Sequence, residues 1–350
     1  MVSTYMLIFA GALVFVIGVT PVMRQLAPRL GLVDQPSSRK LHVSPTPLMG
    51  GVAMYGGIIL ALLIFQESFR VDQLVSILIG ATWMSFLGVW DDRWGIAPLI
   101  KLAGQVVGAL FLVLNGIQVD FLPGEVLDVI VTVVWVVGIT NAINLLDNMD
   151  GLSGGIVATA AAYFLLMAVM SGQYLVGALA AALLGGCLGF LIYNFNPASI
   201  FMGDTGSLFL GFLLAALAIK LRFPANRAIV TWMVPVMALG VPILDTSLVF
   251  VSRLRRGKNP LTTPGKDHLS HRLVRMGFSQ KEAVLLLYVA AEAFGLLAVT
   301  LTLANVREGY VIGLVVFLIC AYLIYWLEKR AGSQATKDDR RAPRDIDAAA

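Results

Sequence analysis

The sequence predicts an all-α integral membrane protein whose helices cross the bilayer about eleven times. Its mean hydropathy is +0.85, 58% of its 350 residues are hydrophobic and 13% are charged. Soluble chains average about a quarter charged residues, so a soluble domain of this length could not cover so much apolar surface. A bilayer accommodates that surface, because helices of about 20 apolar residues satisfy their own backbone hydrogen bonds in lipid. The composition therefore excludes a soluble globular domain.

The individual spans follow from apolar runs, which are separated by turns rich in proline, glycine, asparagine and charge. We predict them near residues 3–20, 49–66, 74–90, 97–114, 126–143, 155–171, 175–193, 207–221, 228–252, 283–303 and 310–327. The first run has neither a basic region nor a cleavage site before Pro21, which favours a retained helix over a removed signal peptide. We expect one transmembrane domain over 1–331 and a charged, disordered cytoplasmic tail over 332–350.

The distribution of basic residues predicts the orientation in the membrane. Loops on one side of the predicted spans, together with the tail, hold 20 of the 25 lysines and arginines, and the other side holds 5. Cytoplasmic loops carry the excess of basic residues, so we expect the N-terminus outside and the C-terminus in the cytoplasm. The basic segment 220–227 is a local exception on the outer side.

Five aspartates lie at the ends of the apolar runs. They are Asp91, Asp92, Asp147, Asp150 and Asp204. A carboxylate beside a membrane span is costly unless it is paired, protonated or bound to a cation, and it is therefore a candidate for a functional site. The predicted topology places all five on the cytoplasmic side, which random interfacial residues would not explain.

Two of these acids belong to the motif NAINLLDNMDG, in which polar side chains recur every third residue. On a continuous helix, Asn141, Asn144, Asp147 and Asp150 would line one slowly drifting face. Such a wall suits the polar edges of a nucleotide or a hard cation. The alternative is a helix end whose polar residues face lipid headgroups.

The other acids also have simpler alternatives. Asp91 and Asp92 precede Arg93, and adjacent helical residues diverge by about 100°, so the two need not face one site. Their alternative role is an interfacial cap with an Asp–Arg pair. Asp204 lies in FMGDTGS just before a span, where it can cap the helix or carry a metal that bridges to phosphate.

A basic loop over 253–281 holds two of the three histidines. Its charge suits the phosphates of a nucleotide or an anionic lipid, although cytoplasmic anchoring alone would explain its arginines. His268 and His271 are three residues apart, so they can share a helical face and donate to phosphate oxygens. The third histidine, His42, lies in another cytoplasmic loop, and the role of Asp245 in the preceding span stays open.

Together these motifs resemble a known family. DDRWG, NAINLLDNMDGLSGG, FMGDTGS and HLSHRL occur in the order and on the side found in the polyprenyl-phosphate N-acetylhexosamine-1-phosphate transferases, and the resemblance covers about residues 31–280. It implies transfer of an N-acetylhexosamine-1-phosphate from a UDP-sugar to a polyprenyl phosphate, with release of UMP. The implied cofactor is Mg²⁺, with Mn²⁺ as a substitute. The expected partners are UDP-N-acetylhexosamine, polyprenyl phosphate and membrane lipids, without nucleic acid and with a homodimer left open.

The resemblance also implies roles for individual residues. Those expected to be catalytic are Asp91, Asp92, Asp147, Asp150, His268 and His271. Those expected to bind substrate are Lys40, His42, Asn144, Phe201 and Arg272. The implied magnesium ligand is Asp204. Because a phosphate monoester is largely deprotonated at pH 7, we expect Asp91 and Asp92 to position and neutralise charge rather than remove a proton, while a two-step route stays open.

Two departures from the family pattern bear on the substrate. Ser270 stands between the two histidines, where many members have another histidine, and Asn148 stands in DNMDG, where relatives often have glycine. The broken histidine run and the residues Val43-Ser44-Pro45 favour the N-acetylglucosamine branch of the family. The phospho-N-acetylmuramoyl-pentapeptide transferases are the alternative.

Two rivals come from other functional classes. An ion-coupled transporter would hold its acids near the membrane midplane, rather than at the ends of spans, and no internal repeat supports it. A non-catalytic scaffold would leave the one-sided acids and histidines unexplained. The favoured interpretation is a transferase of the inner membrane with a cytoplasmic site, which acts at the first membrane step of cell-envelope glycan synthesis, such as lipopolysaccharide or teichoic acid.

Overall fold

Within the described residues, every apolar run predicted to span the membrane is largely helical. The structure, a computed structural model, describes residues 2–35, 45–65, 71–223, 228–260, 262–263 and 265–341. Its helices are α1 (Val2–Arg29), α2 (Gly50–Phe65), α3 (Val71–Trp94), α4 (Pro98–Leu114), α5 (Glu125–Leu146), α6 (Leu152–Ser171), α7 (Tyr174–Asn194), α8 (Gly203–Lys220), α9 (Ala228–Ala238), α10 (Gly240–Arg255), α11 (Leu269–Arg275), α12 (Gln280–Leu303) and α13 (Val306–Arg341). Two short strands, β1 (Val33–Asp34) and β2 (Thr46–Pro47), pair antiparallel.

The prediction of an all-α membrane protein is confirmed. Eight helices in the described residues are long and apolar enough to cross a bilayer, namely α1, α3, α5, α6, α7, α8, α12 and α13. Helices α2 and α4 have 16 and 17 residues, fewer than the roughly 20 that an upright span requires. By this criterion the described residues contain 8 spans, or 9 if the bent pair of α9 and α10 counts as one span. The sequence predicted about eleven. The chain is a multi-pass membrane protein.

The predicted span 228–252 is two helices rather than one. Helices α9 and α10 meet at Leu239 and their axes differ by 82°. Two prolines flank the break: Pro235 lies inside α9, and Pro242 lies in the first turn of α10, where a missing N–H leaves no helical bond unmade. The break directs α10 towards α5, α12 and α13.

The central helix of the bundle is α8, which packs against α2, α3, α5 and α7. It is apolar on all sides, as expected for a helix surrounded by others. Every residue of α8 from Thr205 to Ile219 is buried. Phe209 and Phe212 fill the space around it. Gly211 lies against the backbone of Thr140 in α5, so the two helices approach closely. Any residue at the start of α8 is therefore held in a fixed frame.

The strand pair fixes the segment that precedes α8. The Phe201 N–H donates to the Pro47 carbonyl at 2.8 Å, and the Gly50 N–H donates to the Phe201 carbonyl at 2.9 Å. A Cβ on Gly51 would overlap the backbone of Gly206, so only glycine permits this approach. Together these contacts hold the chain immediately before the FMGDTGS motif.

Helix α13 continues to Arg341 and so includes the first part of the predicted tail. No proline occurs between Gly332 and Pro343, and the sequence therefore has no strong helix terminator before that point. Residues 342–350 lie outside the described residues.

We predict opposite effects on stability for two glycine substitutions. Gly51→Ala should lower the thermal midpoint, because its Cβ would overlap the α8 backbone. Gly138→Ala in α5 meets no atom within 4 Å and should be neutral or stabilise by up to about 1 kcal/mol. Thermal unfolding in detergent, followed by a thiol dye that reacts with the buried Cys187 on exposure, measures both. An unchanged midpoint for Gly51→Ala would contradict this packing.

Candidate active site

A cavity of about 910 Å³ opens at one end of the bundle, where α3 and α5 end and α8 begins. The predicted site residues that line it are Asp92, Asn144, Asp147, Asp150, Phe201, Asp204 and His271. They come from motifs far apart in sequence, and the antiparallel course of the helices brings them together. One cavity at the end of a membrane bundle is therefore lined by acids, an amide, an aromatic ring and an imidazole.

Asp204 is held by partners from two neighbouring helices. Asn144 Nδ2 donates to Oδ1 of Asp204 at 2.6 Å and to Ser207 Oγ at 2.8 Å. Lys101 Nζ lies 2.6 Å from Oδ2 of Asp204 and 2.8 Å from Oδ2 of Asp91. One ammonium thus joins two of the five carboxylates and links α3, α4 and α8.

Asp92 caps the N-terminus of α8 from a different helix. Its carboxylate accepts the backbone N–H of Asp204 at 2.8 Å, and the N–H and hydroxyl of Thr205 at 3.0 and 2.6 Å. Met202, at the N-cap position, supplies no side-chain acceptor. Asp92 provides the acceptor and the negative charge that a helix N-terminus favours. Gly203, at φ 66°, permits the approach, since a Cβ there would overlap this carboxylate.

Asp91 does not line the cavity. Its Oδ1 accepts the Ile96 N–H at 2.7 Å, and its Oδ2 pairs with Lys101. The two adjacent acids have different partners, because neighbouring residues on a helix are rotated by about 100° around its axis. The predicted contact of Asp91 with a lipid phosphate stays a prediction.

The motif 141–150 does not form one helical wall, because α5 ends at Leu146. Asn141 exchanges amide hydrogen bonds with Gln105 of α4. Asp147, at the C-cap, adopts φ −77° and ψ 51° and leaves the helical path. The expectation of a continuous wall was therefore wrong, and it is the turn after α5 that brings the two acids of the motif to the cavity.

These two acids have very different surroundings. Asp150 Oδ2 accepts Asn196 Nδ2 at 3.0 Å and the Ala198 N–H at 2.9 Å. The Asp147 carboxylate has no hydrogen-bond or ion-pair partner in the part of the chain that the structure describes. Burial, followed by the charge of Asp204 and the other acids, raises the pKa of Asp147 to about 8. A carboxyl among carboxylates is a position where a cation is favoured.

The two histidines lie at the start of α11 and have different neighbours. His268 Nδ1 lies 2.8 Å from Oδ2 of the buried Asp245, whose Oδ1 accepts the Leu269 N–H at 2.6 Å. His268 does not line the cavity, whereas His271 does. Burial, and then the neighbouring His268, Lys266 and Arg275, lowers the pKa of His271 to about 4. His271 is therefore a neutral hydrogen-bonding group at pH 7.

Arg272, predicted to hold the diphosphate or the sugar, does not line the cavity. Its Nη2 donates to Glu328 Oε1 at 2.5 Å and to Ser252 Oγ at 2.9 Å, and its Nε donates to the Asp267 carbonyl at 2.9 Å. Arg272 and Glu328 are both buried. The pair joins α11 to α13, and the predicted contact of Arg272 with the substrate stays a prediction.

Three residues of this arrangement escaped sequence reasoning. Lys101 counted only as one more cytoplasmic basic residue, because a turn separates it from Asp91 and hides their proximity. Asp245 was noticed without a role, and the charged end of α13 gave no sign that Glu328 would reach Arg272. Two further predicted site residues, Lys40 and His42, lie outside the described residues.

Comparison with known proteins places this geometry in context. The model of glycosyl transferase family 4 matches residues 74–222, which begin inside α3, extend beyond the end of α8 and include all five aspartates. A probable undecaprenyl-phosphate N-acetylglucosaminyl 1-phosphate transferase of Bacillus subtilis is 36% identical over 310 residues, covering 85% of this chain and 85% of its own. The chain belongs to glycosyl transferase family 4.

Other relatives carry similar names. The decaprenyl-phosphate N-acetylglucosaminephosphotransferase of Mycolicibacterium smegmatis is 35% identical over 311 residues, which are 78% of this chain and 76% of the relative. The undecaprenyl-phosphate alpha-N-acetylglucosaminyl 1-phosphate transferase of Yersinia pestis is 27% identical over 345 residues, which are 93% and 90% of the two chains. The four sequence motifs indicated a resemblance to the polyprenyl-phosphate N-acetylhexosamine-1-phosphate transferases, and this resemblance is confirmed.

We predict that two acids of the cavity affect stability in opposite directions. Asp92→Ala removes the cap of α8 and should cost about 1–2 kcal/mol of unfolding free energy. Asp147→Asn removes a carboxylate with acidic neighbours and should raise the thermal midpoint in EDTA, because a strained functional site trades stability for activity. Thermal unfolding of both variants beside wild type is the measurement. A lower midpoint for Asp147→Asn would show that Asp147 has a stabilising partner.

Proposed function

We propose that this protein transfers N-acetylglucosamine-1-phosphate from UDP-N-acetylglucosamine to a polyprenyl phosphate and releases UMP. The observation that carries the proposal is the convergence of acids, Asn144, Phe201 and His271 on one cavity at the end of a membrane bundle. A lipid phosphate at the membrane surface and a water-soluble nucleotide can both reach such a position. The names of the relatives supply the acceptor and the sugar.

The proposed sugar is N-acetylglucosamine rather than a muramoyl-pentapeptide. Each of the relatives described above is named for transfer of N-acetylglucosamine. The serine that interrupts the histidine run, Ser270, supports the same branch of the family.

The proposed cofactor is Mg²⁺, held by Asp204 and Asp147. The residues fit this ion, since oxygen atoms are its preferred donors and the charges that act on the Asp147 carboxyl group come from other acids, namely Asp204, Asp92 and Asp150. In the described ranges, no group of three or more carboxylate, histidine or cysteine side chains forms a complete metal site. Magnesium is commonly bound by one or two carboxylates together with substrate phosphates. When bound, it would neutralise charge on the diphosphate.

The protein side chains then have separate tasks. Phe201, whose backbone is fixed by β2 and α2, would stack on uracil. His271, as a neutral imidazole, would donate a hydrogen bond to a phosphate oxygen. Lys101 would hold the Asp204 carboxylate in place and reduce the negative charge that the diphosphate meets. Asp150 keeps the segment 196–198 against the cavity.

The attacking group requires no base from the protein. The second pKa of a phosphate monoester is about 6, so the lipid phosphate is largely a dianion at pH 7. One of its oxygens forms a bond to the β-phosphorus of the donor. The bond from that phosphorus to the bridging oxygen breaks, and its electron pair leaves with UMP. Asp91 and Asp92, engaged by Lys101 and by the α8 N-terminus, serve positioning rather than proton removal.

The cavity is proposed to face the cytoplasm from the inner membrane. The excess of basic residues on that side, 20 against 5, supports this orientation. A cytoplasmic site has access to nucleotide sugars. The acids lie at helix ends rather than at mid-span, which argues against the transporter alternative.

We predict that lipid labelling depends on Asp204 and on magnesium. Purified protein with UDP-[¹⁴C]N-acetylglucosamine, undecaprenyl phosphate and Mg²⁺ should yield labelled lipid, and EDTA should abolish it. Asp204→Ala should lose at least about 100-fold in rate, as is typical when a group at the reacting charge is removed. The exposed Asp120, which pairs with Arg222 far from the cavity, supplies the control variant Asp120→Ala, expected to match wild type. Retained activity in Asp204→Ala would contradict the metal assignment.

We predict that the contribution of His271 to donor binding does not change between pH 6 and pH 8. A pKa of about 4 leaves its imidazole neutral throughout that range, so the donor KM of His271→Gln relative to wild type should stay constant. Steady-state kinetics at several pH values measure this ratio. A ratio that rises as the pH falls from 8 to 6 would mean that the imidazolium carries the contact.

A further inference from the structure

Asn148 connects the end of α5 to the loop that carries the histidines. It lies in the turn between α5 and α6 and lines the cavity. Its Nδ2 donates to the Leu145 carbonyl at 2.8 Å, which caps the last turn of α5. Its Oδ1 accepts the hydroxyl of Ser270 at 2.6 Å. Both polar ends of one amide are therefore in use, and the side chain is fixed in orientation.

Ser270 is buried in the first turn of α11, directly before His271. Its hydroxyl points to Asn148, so the bond joins α11 to the cavity wall. A buried hydroxyl that loses its partner carries a full desolvation penalty, so this bond is not readily exchanged for water.

The other side-chain anchors of α11 attach it to different helices. Asp245 of α10 accepts hydrogen bonds at His268 and Leu269, and Arg272 is fastened to Glu328 of α13. These contacts restrain α11 against α10 and α13. Among the hydrogen bonds of the described residues, the Ser270–Asn148 bond is the one that ties this helix to the turn 147–151.

The hydrogen bond depends on both side chains. Without the Asn148 amide, the Ser270 hydroxyl loses the acceptor that joins α11 to this turn, and without the Ser270 hydroxyl, the Asn148 Oδ1 loses its donor. This dependence indicates that the two residues work as a unit.

We propose that Asn148 and Ser270 are a coupled pair of positioning residues that set the place of His271 in the cavity and thereby the affinity for the sugar nucleotide. This proposal rests on the proposed function. Neither residue takes part in bond making. Breaking the bond should let α11 shift away from the wall that holds Asp147, while the end of the site used by the lipid phosphate is left unchanged.

A double-mutant cycle tests the pair. The variants are Asn148→Ala, Ser270→Ala and the double variant, with Ser270→Thr as the conservative replacement that keeps the hydroxyl. Each single alanine variant should raise the KM for UDP-N-acetylglucosamine roughly tenfold, as expected for one lost buried hydrogen bond. The double variant should be no worse than either single one, because the same bond is lost. Ser270→Thr should resemble wild type, and the KM for undecaprenyl phosphate should not change.

Two matched controls exclude a general effect of amide or hydroxyl removal. Asn115→Ala deletes an amide that donates to the Phe111 carbonyl at the end of α4, at 2.8 Å. Ser247→Ala deletes a hydroxyl that donates to the Ile243 carbonyl at 2.7 Å. Both should leave the donor KM at the wild-type value.

Multiplicative effects in the double variant, or equal rises in both KM values, would overturn the pair. Failure of the proposed function is a separate result: wild type would then convert no UDP-amino sugar to lipid product. In that event the coupling is read from the shift of the thermal midpoint produced by added UDP-N-acetylglucosamine. Coupled losses of that shift would support the pair, and independent losses would overturn it.

Discussion

The hydrogen bonds between Asp92 and the first turn of α8 are the contact on which the site depends. Helix α8 is the most enclosed of the spanning helices, so its N-terminus is the best-fixed point at this end of the bundle. Gly88 of α3 lies against the backbone of Asp204 and Thr205, where a side chain would not fit. Asp92 follows one turn later and accepts three donors from that first turn. The cap thus fixes Asp204 relative to α3. Lys101 of α4 pairs with Asp204 and with Asp91 of α3, so it also fixes α4 relative to these two helices.

The same arrangement gathers several carboxyl groups around a single ammonium. Among the described residues Lys101 pairs with Asp91 and Asp204, while burial and the nearby acids raise the pKa of Asp147. Ionising all of these carboxyl groups together is unfavourable, and a cation between them would relieve the repulsion. The rigid frame and the crowded acids therefore support the magnesium ion and the anionic substrate of the proposed function.

Much of this arrangement could be predicted from the sequence. Apolar run length predicts the helices, because the bilayer imposes it, and the order of motifs along an antiparallel bundle predicts which helix ends meet. The period of three in 141–150 failed, because periodicity does not reveal where a helix ends. Lys101 and Glu328 were missed for a related reason: pairing across helices depends on rotation about the helix axis, which a one-dimensional pattern does not contain. Asn148 and Ser270 were noticed as departures, yet only the fold brings them into contact.

The proposed reaction moves a sugar phosphate, rather than a sugar alone, to the lipid. The most direct measurement supplies purified protein with undecaprenyl phosphate, Mg²⁺ and UDP-N-acetylglucosamine labelled with ³²P at the β-phosphorus and ¹⁴C in the sugar. Both labels should enter the lipid in equal amounts, and UMP should form in step with them. Transfer of ¹⁴C alone, with ³²P remaining in UDP, would contradict the proposed reaction.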